Sequence, residues 1–334
     1  MESVSPGKFQ EPAVSSSRCI LILGGSGFIG TRLAHLLMEQ SVPVRIGDLR
    51  ESHAFPQLWK ECDVTDQQSL QRVLGNTSVI VNLAAEHRDD VRPVSRYHDV
   101  NVQGAVQVCN AARQTGVQQI IFTSSVAVYG FHPRAVDEGG PFQPFNEYGK
   151  TKLEAEAVYR GWADEDPNRT LVIVRPTVVF GEGNRGNVYN LLQQIATGRF
   201  LMVGSGENVK SMAYVGNVAA FIAYCLGFDA GVHIANYVDK PDMNTRDLVS
   251  HIYCCLGRSG PVRRIPKGVA MAGGHVLDLA ARVSGHSFPI SAIRVRKFCE
   301  TTQFKADRVT QWGFKPPYSL AEGLVRTVEF EFRS

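Results

Sequence analysis

Tyr148 and Lys152 stand four residues apart in "NEYGKTKLEAE", a stretch rich in helix formers, so a helix here projects both side chains from one face. A phenol beside an ammonium is usable acid–base chemistry. Unperturbed tyrosine titrates near pKa ~10, and a neighbouring positive charge favours the phenolate. Taken alone, Tyr-x-x-x-Lys is more often an ordinary aromatic and a solvated lysine. Upstream, however, "IFTSSVAVYG" reads as a buried strand ending in Ser124 and Ser125, hydroxyls that can hold a reacting oxygen.

A second constellation lies near the N-terminus. "LILGGSGFIG" sets Gly24, Gly27 and Gly30 in a G-x-x-G-x-x-G array after an apolar run and at the start of a helical pattern through Phe28 and Ile29. A tight turn there lets helix N-terminal amides approach a pyrophosphate that side chains would keep away. Asp48 ends the next apolar run, at the distance expected of an acid that bonds ribose hydroxyls. Its charge would repel the additional phosphate of NADP, so NAD is favoured, with Arg50 nearby keeping NADP open. "CDVTD" offers Asp63 and Val64 on the adenine side, with a helix cap as an equal alternative for Asp63. "NLAAEH" brings Leu83, Ala84 and Ala85 to a small-residue turn under the cofactor.

The elements that must position these groups alternate. "CILILGG", a helix from Phe28 to about Gln40, "VPVRIGD", "VIVNLAA", "QIIFTSS" and "LVIVRPTVVFG" are short Val/Ile/Leu runs separated by helix-length segments. That pattern predicts a Rossmann-type α/β fold, a doubly wound parallel sheet covered on both faces. After Gly181 the chain turns to Gly/Asn-rich loops and helices, with isolated strand signals at "GVHIANY" and near Val262–Ile265. The reading is a dinucleotide-binding domain over 18–181 and a smaller, mostly helical substrate lobe over 182–334, with segments such as "SMAYVGNV" returning to the first. Residues 1–17 are polar and Ser/Pro-rich and read as a disordered tail rather than a signal peptide.

The composition is globular: 334 residues, 44% hydrophobic and 20% charged, with a net charge of +3. The charge reads as small and spread along the chain, so nucleic acid is not an expected partner. Seven scattered cysteines without CxxC spacing read as reduced, buried thiols, and no metal site is expected. No apolar run approaches the roughly 18 residues that span a bilayer. The expected compartment is the cytoplasm with no membrane partner, and Lys267–Gly285 reads as a packing or dimer helix.

In order along the chain, "GGSGFIG", Asp48, "CDVTD", "NLAA", "NVQGA", "SSVAVYG", "YGKTK", "RPTVVFG", "AYVGNVA" and "FKADRVTQWGFKP" resemble the extended short-chain dehydrogenases/reductases. The likeness is to their NAD-dependent epimerase/dehydratase family and covers about Ile20 to Phe330. It implies that Tyr148 is the catalytic base, that Lys152 holds the cofactor ribose and lowers the Tyr148 pKa, and that Ser125, with Ser124 beside it, meets a sugar oxygen. It also implies that Asn101 supports the central helix, although a helix cap explains that residue nearly as well. Lys210 and either Arg294 or Arg296 are candidates to grip a diphosphate.

Two departures narrow the reaction. Members that eliminate water carry an Asp-Glu pair where this chain has Val126 and Ala127, so 4,6-dehydration is disfavoured. Val178 replaces the Asn that commonly contacts the nucleotide diphosphate, and Asn217 replaces a common acid. The leading reading is an NAD-dependent C4 oxidoreductase of nucleotide sugars, a UDP-hexose or UDP-N-acetylhexosamine 4-epimerase acting as a homodimer. A 4-ketoreductase of polysaccharide-precursor synthesis, using NAD(P)H on a 4-keto sugar nucleotide, stands as the alternative. A non-catalytic dinucleotide-binding protein is third.

Overall fold

The computed structural model describes residues 18–88, 91–132, 134–258, 260, 262–284, 295 and 299–333. Arg294, Arg296 and the N-terminal tail therefore lie outside the described residues.

The strands are β1 (Cys19–Leu23), β2 (Val44–Asp48), β3 (Trp59–Glu61), β4 (Thr77–Asn82), β5 (Gln119–Thr123), β6 (Thr170–Pro176), β7 (Val178–Phe180), β8 (Met202–Val203), β9 (Val209–Lys210), β10 (Met212–Tyr214), β11 (Gly231–Tyr237), β12 (Met243–Asn244) and β13 (Arg264–Ile265). Seven of them form one sheet in the order β11-β6-β5-β4-β1-β2-β3, with every pair parallel. The order runs outward in both directions from β1 and β4. Such a switch point opens a crevice at the carboxyl ends of the two strands, where open α/β sheets bind ligands.

Alternation along each strand decides what covers each face. Ile20, Ile22, Ile121, Val172 and Val174 pack with α1 (Phe28–Glu39) and α7 (Val215–Tyr224). Leu21, Leu23, Ile120, Phe122, Leu171 and Ile173 face α2 (Gln67–Leu74), α4 (Gly104–Thr115) and α5 (Glu147–Asp164). Both faces are sealed, which is why the central strands read as unbroken apolar runs rather than alternating ones.

"GVHIANY" is not an isolated strand of a separate lobe. As β11 it extends the main sheet, in register with β6 from Gly231 opposite Thr170 to Tyr237 opposite Pro176. Without it β6, buried along its whole length, would present an unpaired edge. A third apolar cluster joins α6 (Asn187–Ala196), α8 (Thr245–Cys255) and the C-terminal helix Leu320–Phe332 through Leu192, Ile195, Leu248, Ile252, Leu324 and Val328. Glu182 ties this half to α1, accepting from Arg32 at 3.0 Å and from the Tyr214 hydroxyl at 2.8 Å. The cysteine expectation needs one correction: Cys254 is exposed, while Cys19, Cys62, Cys109 and Cys225 are buried, all as free thiols.

Candidate active site

The glycine turn leaves β1 and enters α1 at the switch point. Gly24 adopts φ +74°, and a Cβ there would stand 2.7 Å from the Ala84 amide nitrogen, so the turn lies directly against the loop that follows β4. Gly27 caps α1 with extended backbone and no side-chain bond, Phe28, Ile29 and Gly30 form the first turn, and the helix N-terminus opens on the crevice. Asp48, at the end of β2, accepts the Ser26 amide at 3.1 Å and the Arg50 amide at 3.0 Å. Its carboxylate is thus fixed beside the turn with acceptor capacity to spare. A tightly packed glycine turn that leads into a helix N-terminus, with a placed acid beside it, fits a dinucleotide.

On the far side of Asp48, Cys62 donates its amide to the Asp48 carbonyl at 3.1 Å, which brings Asp63 and Val64 to the same rim. The capping alternative for Asp63 fails: Asp66 caps α2 through the Gln68 amide, and Asp63 instead accepts the amide and hydroxyl of Thr65. Leu83, Ala84 and Ala85 leave β4 partly buried. Leu83 donates to the Leu23 carbonyl at 2.8 Å, and the Ala84 amide is held by the Asn82 side chain at 3.0 Å.

The second constellation stands at the ends of β5 and α5. Asn146 caps α5 by accepting the Gly149 amide at 2.9 Å. A Cβ on Gly149 would lie 2.5 Å from the Ala127 carbonyl oxygen, so only glycine lets the first turn of α5 sit this close to the segment that follows Ser125. The closeness brings the Tyr148 hydroxyl near the Ser125 hydroxyl. Burial raises the phenol above its ordinary value and the nearby Ser125 hydroxyl opposes that rise, so the free protein holds Tyr148 protonated. Lys152 sits one turn on, sealed from solvent, donating to the Thr123 carbonyl at 2.8 Å with its ammonium 4.6 Å from the Phe122 ring. Desolvation pushes it down to about 7, against the pull of Glu156.

The two serines part company. Ser125 faces Tyr148, whereas the Ser124 hydroxyl is buried and donates to Glu156 at 2.6 Å, which removes it from the substrate side. Glu156 is also clamped by Arg175, with Nε 2.8 Å from Oε1 and a terminal nitrogen 2.5 Å from Oε2. Arg175 continues to the Tyr129 hydroxyl at 2.6 Å, and Tyr129 donates to Asn236 at 2.7 Å. This inner network was missed in the sequence, although Glu156 lies one helical turn beyond Lys152, where a partner for that lysine belongs.

Asn101 is not a cap. It lies inside a π-turn between α3 (Ser95–His98) and α4, where it accepts the Glu86 amide at 2.9 Å and donates to the Glu86 carbonyl at 3.1 Å and to Thr151 at 2.9 Å. It thereby fastens the loop after β4 to α5. Asn217 is fully buried, bonding Asp239 at 2.9 Å and both backbone groups of Tyr318. Lys210 lies on β9 in the second half, and burial lowers its pKa.

The NAD dependent epimerase/dehydratase family model matches residues 20–238, the span that carries both constellations. The chain belongs to that family. Among the family's relatives, the N-acetyl-alpha-D-glucosaminyl-diphospho-ditrans,octacis-undecaprenol 4-epimerase of Escherichia coli O157:H7 is 49% identical over 94% of this chain and 95% of its own length. The UDP-glucose 4-epimerase of Vibrio cholerae is 28% identical over 93% and 95%. The Methanobrevibacter ruminantium UDP-N-acetylglucosamine 4-epimerase, solved with UDP-N-acetylmuramic acid, shares the fold at a TM-score of 0.74 and 20% identity, covering 94% and 97%. The Thermus thermophilus UDP-glucose 4-epimerase, solved with NAD, does so at 0.73 and 21%, covering 95% and 99%.

Proposed function

We propose that this protein is an NAD-dependent 4-epimerase of an N-acetylhexosamine carried on a diphosphate, and that the carrier is a polyprenyl chain. The 49% identity to the E. coli lipid-linked epimerase, across nearly the full length of both chains, carries the substrate reading. Ser125, Tyr148 and Lys152 carry the chemistry. Two apolar features support a lipid rather than a uridine. Phe131 and Phe145, 43% and 48% exposed, stack at 4.5 Å between ring centres on the segments that flank Ser125 and Tyr148. Val178, 41% exposed, adds an apolar side chain to the surface at the start of β7.

Bound NAD supplies reversible hydride exchange at C4 of the sugar. The glycine turn and the N-terminus of α1 would hold its pyrophosphate, Asp48 would bond the adenosine ribose, and Asp63, Val64 and Leu83 to Ala85 would line the rest of its site. Lys152 holds the nicotinamide ribose from inside the site. The positive charge of bound NAD and the Lys152 ammonium would favour the Tyr148 phenolate, which takes the proton from the C4 oxygen and returns it after the sugar has turned, while Ser125 keeps that oxygen in line. Both the hydride and the proton removed in each cycle are returned to the sugar, so the reaction proceeds without net cofactor consumption. Lys210 remains the candidate to grip the diphosphate.

A UDP carrier is the second reading, favoured by the V. cholerae relative. The two separate when purified protein is incubated with polyprenyl-diphospho-GlcNAc and with UDP-GlcNAc, without added cofactor, and the released sugar is examined for GalNAc. Conversion of the lipid-linked sugar well in excess of the nucleotide sugar is expected. Conversion of UDP-GlcNAc alone would move the carrier to UDP.

A further inference from the structure

The helix α9 (Lys267–Ser284) presents an apolar ridge outward. Ala270 and Gly274 are buried, whereas Val269, Ala272, Gly273 and Val276 are exposed at i, i+3, i+4 and i+7, which places them in one stripe. The two valines are 62% and 66% exposed, the highest values among the large exposed hydrophobics. No charged side chain interrupts this outward stripe.

Arg258, Arg263, Arg264 and Lys267 stand just before and at the start of the same helix. Between Leu256 and Glu300 eight Lys and Arg stand against two acids, a net +6, while the whole chain carries +3, so the remainder is net negative. The even spread expected from the composition is thus replaced by one basic segment. Arg263, Arg264 and Lys267 are exposed just before and at the first turn. Their backbone is fixed, because β13 pairs with β8, Met202 donates to the Arg263 carbonyl at 2.9 Å and Gly204 donates to the Ile265 carbonyl at 2.9 Å. Lys267 and Lys210 both bear electrostatically on the Cys299 thiol and lower its pKa against the rise that burial causes. Among the described residues no helix is long and apolar enough to cross a membrane.

From this arrangement we infer that α9 is an interfacial helix that docks the protein on an anionic phospholipid bilayer. The valine ridge enters the acyl boundary, and the basic end meets the headgroup phosphates. Complementary charge selects this occupant over a second copy of the chain, whose own α9 would bring the same cations against these. The inference deepens the proposed function and rests on it for its purpose: a sugar carried on a polyprenyl diphosphate is reached only at a bilayer surface.

Vesicle binding tests the docking without any turnover. The full chain is sedimented with vesicles of phosphatidylglycerol and phosphatidylethanolamine and, in parallel, with phosphatidylcholine vesicles. It should follow the anionic vesicles and be released from them as salt rises. The pair Val269→Asp and Val276→Asp should weaken binding by roughly tenfold or more, and Arg263→Glu with Arg264→Glu by a similar factor. Both pairs lie on exposed positions, and unchanged NAD affinity confirms that the fold survives. Wild-type protein left in solution by anionic vesicles would overturn the inference. So would valine variants that still bind but fall from dimer to monomer on size exclusion, which would make the ridge a subunit interface. The substrate reading fails separately, if detergent-solubilised polyprenyl-diphospho-GlcNAc is not converted by a protein that does bind vesicles.

Discussion

Lys152 donates to the Thr123 carbonyl at 2.8 Å, which ties the helix bearing Tyr148 to the strand whose next residues are Ser124 and Ser125. The bond holds the end of β5 and the first turns of α5, and with them Ser125 and Tyr148, as one unit. It also places an ammonium where water cannot reach it, which accounts for its descent to about 7.

That depressed value gives a pH prediction with a definite sign. The unfolded chain keeps this proton up to about 10.5, whereas the folded chain releases it near 7, so the contribution of Lys152 to stability rises with pH between those values. Engaging ribose oxygens beside a pyrophosphate favours the charged form, so NAD binding at pH 8 should take up a proton. Calorimetry in two buffers of different ionisation heat should reveal the uptake in wild type and none in Lys152→Met. Equal heats in both buffers for the wild-type protein would contradict it.

Tyr148→Phe removes only the ionisable oxygen. Turnover should fall by about 10²- to 10⁴-fold while NAD affinity is nearly unchanged. Single-turnover kinetics and calorimetry on the same sample measure both. Loss of affinity in step with activity would mean that the ring positions the cofactor rather than moving the proton.

Glu156→Ala leaves Arg175 buried without its carboxylate and should destabilise the fold by about 3–5 kcal/mol, read from urea denaturation. Replacing both members, Glu156→Gln with Arg175→Met, should recover part of that loss, because the penalty lies in the orphaned charge. An Ala variant as stable as wild type would show the pair to be dispensable.

These groups mark where sequence reading succeeds and where it stops. The glycine turn, Asp48 and Tyr148–Lys152 were legible because each rests on local spacing: a turn, a strand end, one turn of helix. Ser124 was misplaced because adjacent residues at a strand end point to opposite faces, and only the partner across α5 reveals which face is which. Arg175 reads as a surface cation until β6 is known to be buried on both sides. β11 is separated from β6 by more than fifty residues, so its pairing depends on tertiary closure that no local pattern carries. Asn101 was seen but left between two roles, since a π-turn inside a helix has no composition of its own.

The central claim is that hydride leaves and returns to C4 within one site while Tyr148 carries the proton. Polyprenyl-diphospho-GlcNAc bearing deuterium at C4 tests it most directly, with mass spectrometry of the sugar released after incubation in ordinary water without added cofactor. The account predicts a C4 epimer that retains its deuterium, with no net change in reduced cofactor. An epimer whose deuterium has been replaced by solvent hydrogen, or no epimer together with steady NADH consumption on a 4-keto sugar, would contradict it.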